Sequence, residues 1–459
     1  MTAMSIRTAV ILAAGAGARM WPFAQVRNKA AMPVAGVPNV RRLADTLARI
    51  GVDRLVVVIG AQPGSVRHAM LGYPVPVAFV TAEAGGTAAA LLAGLRQVED
   101  DRFLVVYGDT VTPEANLRAV AEAPAAAAAA GAILTDTMPP GEGSDWYHAH
   151  IEDGVVRGIV GHECDGRVRV CGVMALHRSI IPVLEANPGF MRAVPVGGMP
   201  PAEADLMQSL NDWDADVAAV PATDFVIDMD KPWQALAANH AMARHLTEGL
   251  AESVIHPTAV ISDGAEISGF VQVGAGSVIG NRSVLRGAAI IGSGTRLING
   301  PILEGGNVIG DGTRLSDYGL VGRYSVVGND CVVGHGAEID GAMFDGSYLW
   351  HYCEVCGLVG RSVDIGAATV CGTLRFDDGN AEHRIRGRRE RPAVLANSTY
   401  YGDFSRTGVN VVSMPGARIG CYACVGAGVV VTGDVPDRTL RLLKQETIDR
   451  PWGPERYGW

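Results

Sequence analysis

From Arg7 to about Asp230, short apolar runs such as "TAVILAAG", "RLVVVIG", "PVAFVTA" and "RFLVVYGD" alternate with helix-like stretches such as "VRRLADTLARIG" and "GTAAALLAGLRQV". Strand-length runs that alternate with helical periodicity predict an α/β unit built on a mostly parallel, doubly wound sheet. "EAPAAAAAAGA", Glu122 to Ala132, reads as a helix end, because alanine is the best helix former. Lys231 to Val254 has an early proline, apolar residues at helical spacing and no internal breaker, which predicts a connecting helix.

Beyond it the period changes to six. Every sixth residue from Ile255 is aliphatic: Ile261, Ile267, Val273, Ile279, Leu285 and onward through Val327 and Val333 to Ile339. Glycine repeatedly follows that residue, as at Gly274, Gly280, Gly292 and Gly310. This is the hexapeptide repeat of a parallel β-helix, in which one aliphatic residue per flat side points inward and three sides make a coil. The register slips at Asp345 and resumes two residues out of phase at Cys353, Val359 and Ile365; it breaks again over "RFDDGNAEHRIRGRRERP" and returns at Ile419, Val425 and Val431. Coils need no insertions to be stable, so the two interruptions are read as functional loops.

A chain of 459 residues is too long for one ordinary core. The pattern divides it into an α/β domain (1–230), a connecting helix (231–254), a β-helix (255–436) and a tail (437–459). A net charge of −10 gives no global basic character that would favour nucleic acid. The early apolar run, Ala9 to Ala14, enters a glycine turn, so neither a signal peptide nor a membrane span is read, and the expectation is a cytoplasmic protein. Eight cysteines scattered over so long a chain are expected to be reduced thiols.

The stretch "AVILAAGAGARMWPFAQVRNKAAMP" places a glycine-rich turn directly after an apolar strand, with Arg19 just behind it and Lys29 ten residues on. Gly15 and Gly17 either terminate the strand or let backbone N–H groups cradle phosphates beside two cations. "LAAGAGARM" and "RNKAAMPVAGVP" resemble the opening of the sugar-1-phosphate nucleotidylyltransferases. The resemblance continues in order through "GGTAAAL", "VVYGDT", "CGVMAL" and "VIDMDKPWQALAAN". With a β-helix behind it, carrying "LWHYCEVCGLVG", "GTLRFDD", "RTGVNVVSMPGARIG" and "VVVTGDVP", the chain is similar to the archaeal-type bifunctional enzymes that make UDP-N-acetylglucosamine. That resemblance implies a Rossmann-like nucleotidyltransferase domain followed by a left-handed β-helix, and a homotrimer.

The resemblance also implies roles. The substrates would be a nucleoside triphosphate and a sugar 1-phosphate, with no nucleic acid or membrane partner. Nucleotide contacts fall to Leu12, Ala13, Gly15, Ala16, Gly17, Thr81, Gly86, Thr87 and Gly108. Arg19 would hold the leaving pyrophosphate, and Lys29 would bridge the nucleotide and sugar phosphates. Asp109 and Asp228, each ending an apolar run, would hold Mg²⁺, with Asp230 in support. Sugar contacts fall to Tyr147, His148, Glu163 and Gly172. His351 would be the general base of an acetyl-CoA-dependent amino-sugar acetylation, work suited to imidazole.

Several positions depart from the family pattern. Thr81 stands where many relatives carry a base-reading glutamine, His148 follows Tyr147 in place of glycine, and the usual Glu-Lys-Pro is replaced around "VGHEC". These leave the base open and the sugar open to an unusual glycosyl or cyclitol phosphate. Gly372-Thr373 replaces an Ala-Asn pair, which sets a catalytic β-helix against a trimer-forming or regulatory scaffold. The five arginines of "HRIRGRRER" suit the phosphates of coenzyme A, those of a sugar phosphate, a neighbouring subunit or plain solvent. Cys353/Cys356 and Cys421/Cys424 have the spacing of a zinc site, but Cys353 falls on the inward repeat phase, so stacking in the core, Cys353 against Cys371, is the preferred reading.

Overall fold

A computed structural model describes residues 6–83, 85–138, 145–161, 166–190, 192 and 202–454. The N-terminal sheet has nine strands: β1 (Thr8–Ala13), β2 (Arg54–Ile59), β3 (Val77–Thr81), β4 (Arg102–Tyr107), β5 (Gly131–Thr137), β6 (Tyr147–Glu152), β7 (Val155–Gly161), β8 (Val168–His177) and β9 (Val217–Pro221). Their order is β3-β2-β1-β4-β8-β5-β9-β7-β6. β1 pairs in parallel with both β2 and β4, whereas β8 and β7 run against their neighbours.

Strand alternation gives the sheet two cores. Ile11, Val57 and Val106 face helices Asn39–Arg49 and Glu114–Ala126, while Val10, Val56 and Val105 face helix Thr87–Leu95. The sheet is therefore buried on both faces, as the continuous apolar runs require.

The C-terminal half is a left-handed β-helix. Val271–Val273 stacks in parallel on Ala289–Ile291, and that on Asn307–Ile309, at eighteen-residue steps. The six-residue series fills its interior, from Ile279 and Leu285 through Val333 and Ile339.

The first interruption is not an inserted loop. Val333 stacks on Leu349 and Ile339 on Val355, sixteen residues apart, because the side from Ile339 to Met343 spans four residues where others span six. The same shortening recurs from Val355 to Val359. Glu338–Met343 thus turns its corner within one strand, with Gly341 at φ +144°. A Cβ there would lie 2.0 Å from the carbonyl oxygen of Gly357 in the next coil, so only glycine fits. The inward residue at this level is Val355, and Cys353 occupies the corner position that Ser325 and Ala337 fill in earlier coils. Cys371 consequently lies over Val355, not over Cys353.

The second interruption is a true excursion. It forms a hairpin, His383–Ile385 paired with Arg388–Glu390. The hairpin returns to the α/β domain: Ile385 joins an apolar cluster with Phe23 and Met32, with Trp233 and Leu236 of the connecting helix Pro232–Glu248, and with Val326, Leu358 and Tyr400 of the β-helix face.

Candidate active site

At β1 the sheet order reverses, since the chain leaves it for β2 on one side and β4 on the other. The crevice beyond the carboxyl ends of such strands is where open α/β sheets bind ligands. β1 delivers the glycine turn there, and β4 delivers Gly108 and Asp109. Asn28, buried behind the turn, ties it down: its amide donates to the carbonyls of Ala13 (3.0 Å), Gly15 (3.1 Å) and Ala61 (2.9 Å). Its Oδ1 accepts from Ala30 N–H and so caps the short turn Lys29–Ala31. Lys29 then passes beneath Gly17, whose φ is +63° and whose missing Cβ would sit 2.6 Å from Lys29 Cγ.

The charges converge. Lys29 Nζ pairs with Asp109 and lies 3.4 Å from Asp230 Oδ1; Arg19 Nε is 2.9 Å from the other Asp230 oxygen. Burial works against the charge on Lys29, but Asp109 and Asp230 outweigh it and hold its pKa above the ordinary lysine value. Antiparallel pairing of Thr110–Val111 with Ile227–Asp228 brings Asp228 beside the Asp109 segment. Asn39 fixes that segment by donating to the carbonyls of Gly108 (2.8 Å) and Thr110 (3.0 Å). Asp228 accepts from Thr110 Oγ1 at 2.7 Å and lies 3.6 Å from Arg169 Nη1, and burial raises its pKa despite that arginine. Asp109 adds to the rise. A divalent cation would relieve both effects. Among the described residues no group of three or more metal-ligating side chains closes a cage, so the two carboxylates suit an ion that completes its shell with phosphate oxygens and water.

The described positions among the other expected residues lie on strands, turns and a helix start of this domain. Leu12 and Ala13 end β1, while Gly15 and Ala16 are exposed on the turn. Thr81 ends β3, exposed beside Ile59. Gly86 has φ +95°, and a Cβ there would strike the carbonyl of Ala204 at 2.4 Å. Thr87 begins its helix and accepts from Leu206 N–H. Gly172, on β8, lets Tyr107 and Thr110 approach to distances a side chain would forbid. Tyr147 donates to Asp205 Oδ2 at 2.7 Å, and His148 is buried. Glu163, with His162, lies outside the described residues.

Residues 9–186 match the MobA-like NTP transferase domain. Over 451 residues the chain is 25% identical to a "Bifunctional protein GlmU" of Methanococcus maripaludis, covering 96% of this chain and 98% of that one. A second GlmU, from Methanocaldococcus jannaschii, is 24% identical over 96% of this chain and 99% of its own. A "Bifunctional sugar-1-phosphate nucleotidylyltransferase/acetyltransferase" of Sulfurisphaera tokodaii is 30% identical over 24% of this chain and 28% of its own. Residues 9–186 are thus a nucleotidyltransferase domain, in an enzyme that is similar over nearly its whole length to bifunctional GlmU proteins.

Several residues that shape this nucleotidylyltransferase's site were not singled out from its sequence. Arg169 is buried on β8, where it bonds Asp136 (2.8 Å) and faces Asp228. The available signal was a charge inside the apolar run "VRVCGVMALH". The loop after Arg19 is held by the β-helix. Trp21 donates its indole N–H to Asp437 (3.1 Å), Cys421 donates Sγ–H to the Pro22 carbonyl (3.1 Å), and Arg27 pairs with Asp403.

The nucleotidylyltransferase's β-helix carries His351 at an exposed corner, not on an inserted loop. Its Nδ1 lies 2.6 Å from Nδ1 of His335, and Trp350 and Tyr352 flank the pair. Thr373 is exposed. The arginine hairpin faces this chain's own α/β domain: Glu390 pairs with Lys231, which also holds Asp145.

Proposed function

We propose that the crevice joins a nucleoside triphosphate to a sugar or cyclitol 1-phosphate, giving the nucleoside diphosphate derivative and pyrophosphate. The observation that supports it is the convergence of Arg19, Lys29, Asp109, Asp228 and Asp230 at the strand-order reversal, behind a glycine turn. A phosphate oxygen of the sugar phosphate attacks the nucleotide α-phosphorus. The α–β bridging bond breaks, and its electron pair leaves with pyrophosphate. The attacking phosphate is already anionic near neutral pH, so no general base is required, and the work is positioning and charge neutralisation. Lys29 neutralises the two phosphates drawn together, Arg19 takes the charge that accumulates on pyrophosphate, and the glycine-turn N–H groups hold the triphosphate. Mg²⁺ on Asp109 and Asp228 would supply Lewis-acid charge neutralisation at the phosphate oxygens.

Thr81, Gly86, Thr87 and Gly108 are assigned to the nucleotide, and Tyr147, His148, Glu163 and Gly172 to the sugar. The enzyme is proposed to be cytoplasmic and homotrimeric through the β-helix, with neither nucleic acid nor membrane as a partner. A solution mass of one chain would contradict the trimer. For the second half, acetyl transfer from acetyl-CoA with His351 as base is the reading, favoured by an exposed imidazole held by a second one. A non-catalytic scaffold is the rival, favoured by Gly372-Thr373. Pyrophosphate release that vanishes in Asp109→Ala tests the first reaction.

A further inference from the structure

The arginine hairpin leaves the β-helix and ends beside Arg19. Its inward residues anchor it. Ile385 is buried in the interdomain cluster, and His383 packs on Trp233 (centroids 4.9 Å apart) with Nε2 2.8 Å from the Ala396 carbonyl oxygen. The Arg384 carbonyl accepts from Arg418 at 2.9 Å. Strand alternation then sends the neighbouring residues, Arg384 and Arg386, outward. With Arg19 and Arg418 they line a cleft of about 350 Å³ between the two halves of the chain.

The acids of this cleft are already engaged. Asp434 is gripped by Arg418 at 2.9 and 2.6 Å, and Asp437 accepts from the Trp21 indole and from Cys421 N–H (2.7 Å). Among the described residues no carboxylate pairs with Arg384 or Arg386, although their neighbours Arg389 and Arg391 both reach Glu382. The cleft therefore has surplus positive charge on planar, multiply donating groups, which suits phosphate oxygens held two at a time. Arg19 connects it to the chemistry, because its guanidinium also contacts Asp230, itself within 3.4 Å of Lys29 Nζ.

We infer that Arg384 and Arg386 of the β-helix complete, across the domain boundary, a subsite for the pyrophosphate that leaves the nucleotidyl-transfer site. This rests on the nucleotidyl-transfer reading above. A cleft of about 350 Å³ takes a hydrated diphosphate. The β-helix is then a participant in the first reaction, receiving its product from Arg19.

The test is calorimetric titration of inorganic pyrophosphate into the full-length protein, beside the same titration with coenzyme A. Both are repeated in Arg384→Ala/Arg386→Ala and in Arg388→Ala, a change in the same hairpin outside the cleft. Arg384 and Arg386 are exposed, and an unchanged thermal transition verifies that the double variant folds. The expected result is pyrophosphate affinity at least tenfold weaker in the double variant only, partly restored by Arg384→Lys/Arg386→Lys. The product-inhibition constant of pyrophosphate should rise in parallel while KM for the sugar phosphate stays constant. Unchanged pyrophosphate affinity, equal loss in Arg388→Ala, or loss confined to coenzyme A would overturn the assignment. If the wild type turns over no substrate pair but pyrophosphate still depends on the two arginines, the subsite stands and the reaction reading falls. Turnover with arginine-independent pyrophosphate binding gives the reverse.

Discussion

Arg27, one residue before the asparagine that ties down the glycine turn, forms a buried ion pair with Asp403 of the β-helix. Burial lowers the pKa of Arg27 to about 10, and its guanidinium also lies 5.3 Å from the Phe344 ring centroid. Asp403 in turn accepts from Arg361 N–H at 3.2 Å. The segment behind the glycine turn is thus packed against the β-helix.

Removing one partner leaves a buried charge uncompensated, which costs roughly 3–5 kcal/mol. Asp403→Asn should therefore lower the unfolding free energy by that order and raise KM for the nucleoside triphosphate, since Asn28 follows Arg27. Replacing both residues by apolar ones should be less damaging than either single change. A double-mutant cycle by chemical denaturation measures this, and additive losses would show that the pair is not coupled.

Gly17→Ala places a Cβ against Lys29 Cγ in a left-handed backbone conformation, at about 1–2 kcal/mol for the conformation alone. The expected outcome is a fall of at least tenfold in kcat/KM with a native circular dichroism spectrum. Gly15→Ala, where a Cβ meets nothing within 4 Å, should be much milder. Equal effects of the two changes would refute the claim that Gly17 makes room for the lysine.

Burial lowers the pKa of His383 in the hairpin, and that of His240 in the connecting helix, below the ordinary 6.5. A histidine with a depressed folded pKa binds its proton more tightly when unfolded, so stability is complete above pH ~6.5 and is lost as pH falls below it. Thermal transitions at pH 7.5 and 5.0 should differ more in the wild type than in His383→Gln. Identical differences would show that His383 is not a source of the acid sensitivity.

His351→Ala separates the two readings of the β-helix. With a catalytic β-helix, acetyl-CoA-dependent release of free thiol in the presence of an amino-sugar phosphate disappears in the variant. A scaffold gives no thiol release in either protein.

The aliphatic period was legible because every coil repeats the same steric demand, but its interruption was not. The same side is short by two residues in each of two successive coils, which displaces the series by four, and modulo six a loss of four equals a gain of two. Val359 and Ile365 therefore look like the result of an insertion, and Cys353 falls on that false phase beside the true inward residues Leu349 and Val355. The crevice charges were legible because Asp109 and Asp228 end apolar runs and Arg19 and Lys29 follow a glycine turn. Arg169 and Asn28 act through partners distant in the chain, and the contacts of Trp21, Arg27 and Pro22 with Asp437, Asp403 and Cys421 span about four hundred residues, beyond any local pattern. The arginines of the second loop were visible as charge, but which surface they meet is decided by the docking of Ile385 and His383.

The most direct test is a pyrophosphate-release matrix of nucleoside triphosphates against sugar and cyclitol 1-phosphates, run with the wild type and Asp109→Ala in the presence of Mg²⁺. At least one combination should release pyrophosphate with stoichiometric nucleoside diphosphate sugar or cyclitol, and Asp109→Ala should reduce that rate by about a hundred- to a thousandfold, the scale expected when a preorganised electrostatic group is lost. No turnover in any combination, or release that persists undiminished in Asp109→Ala, would contradict the proposed site.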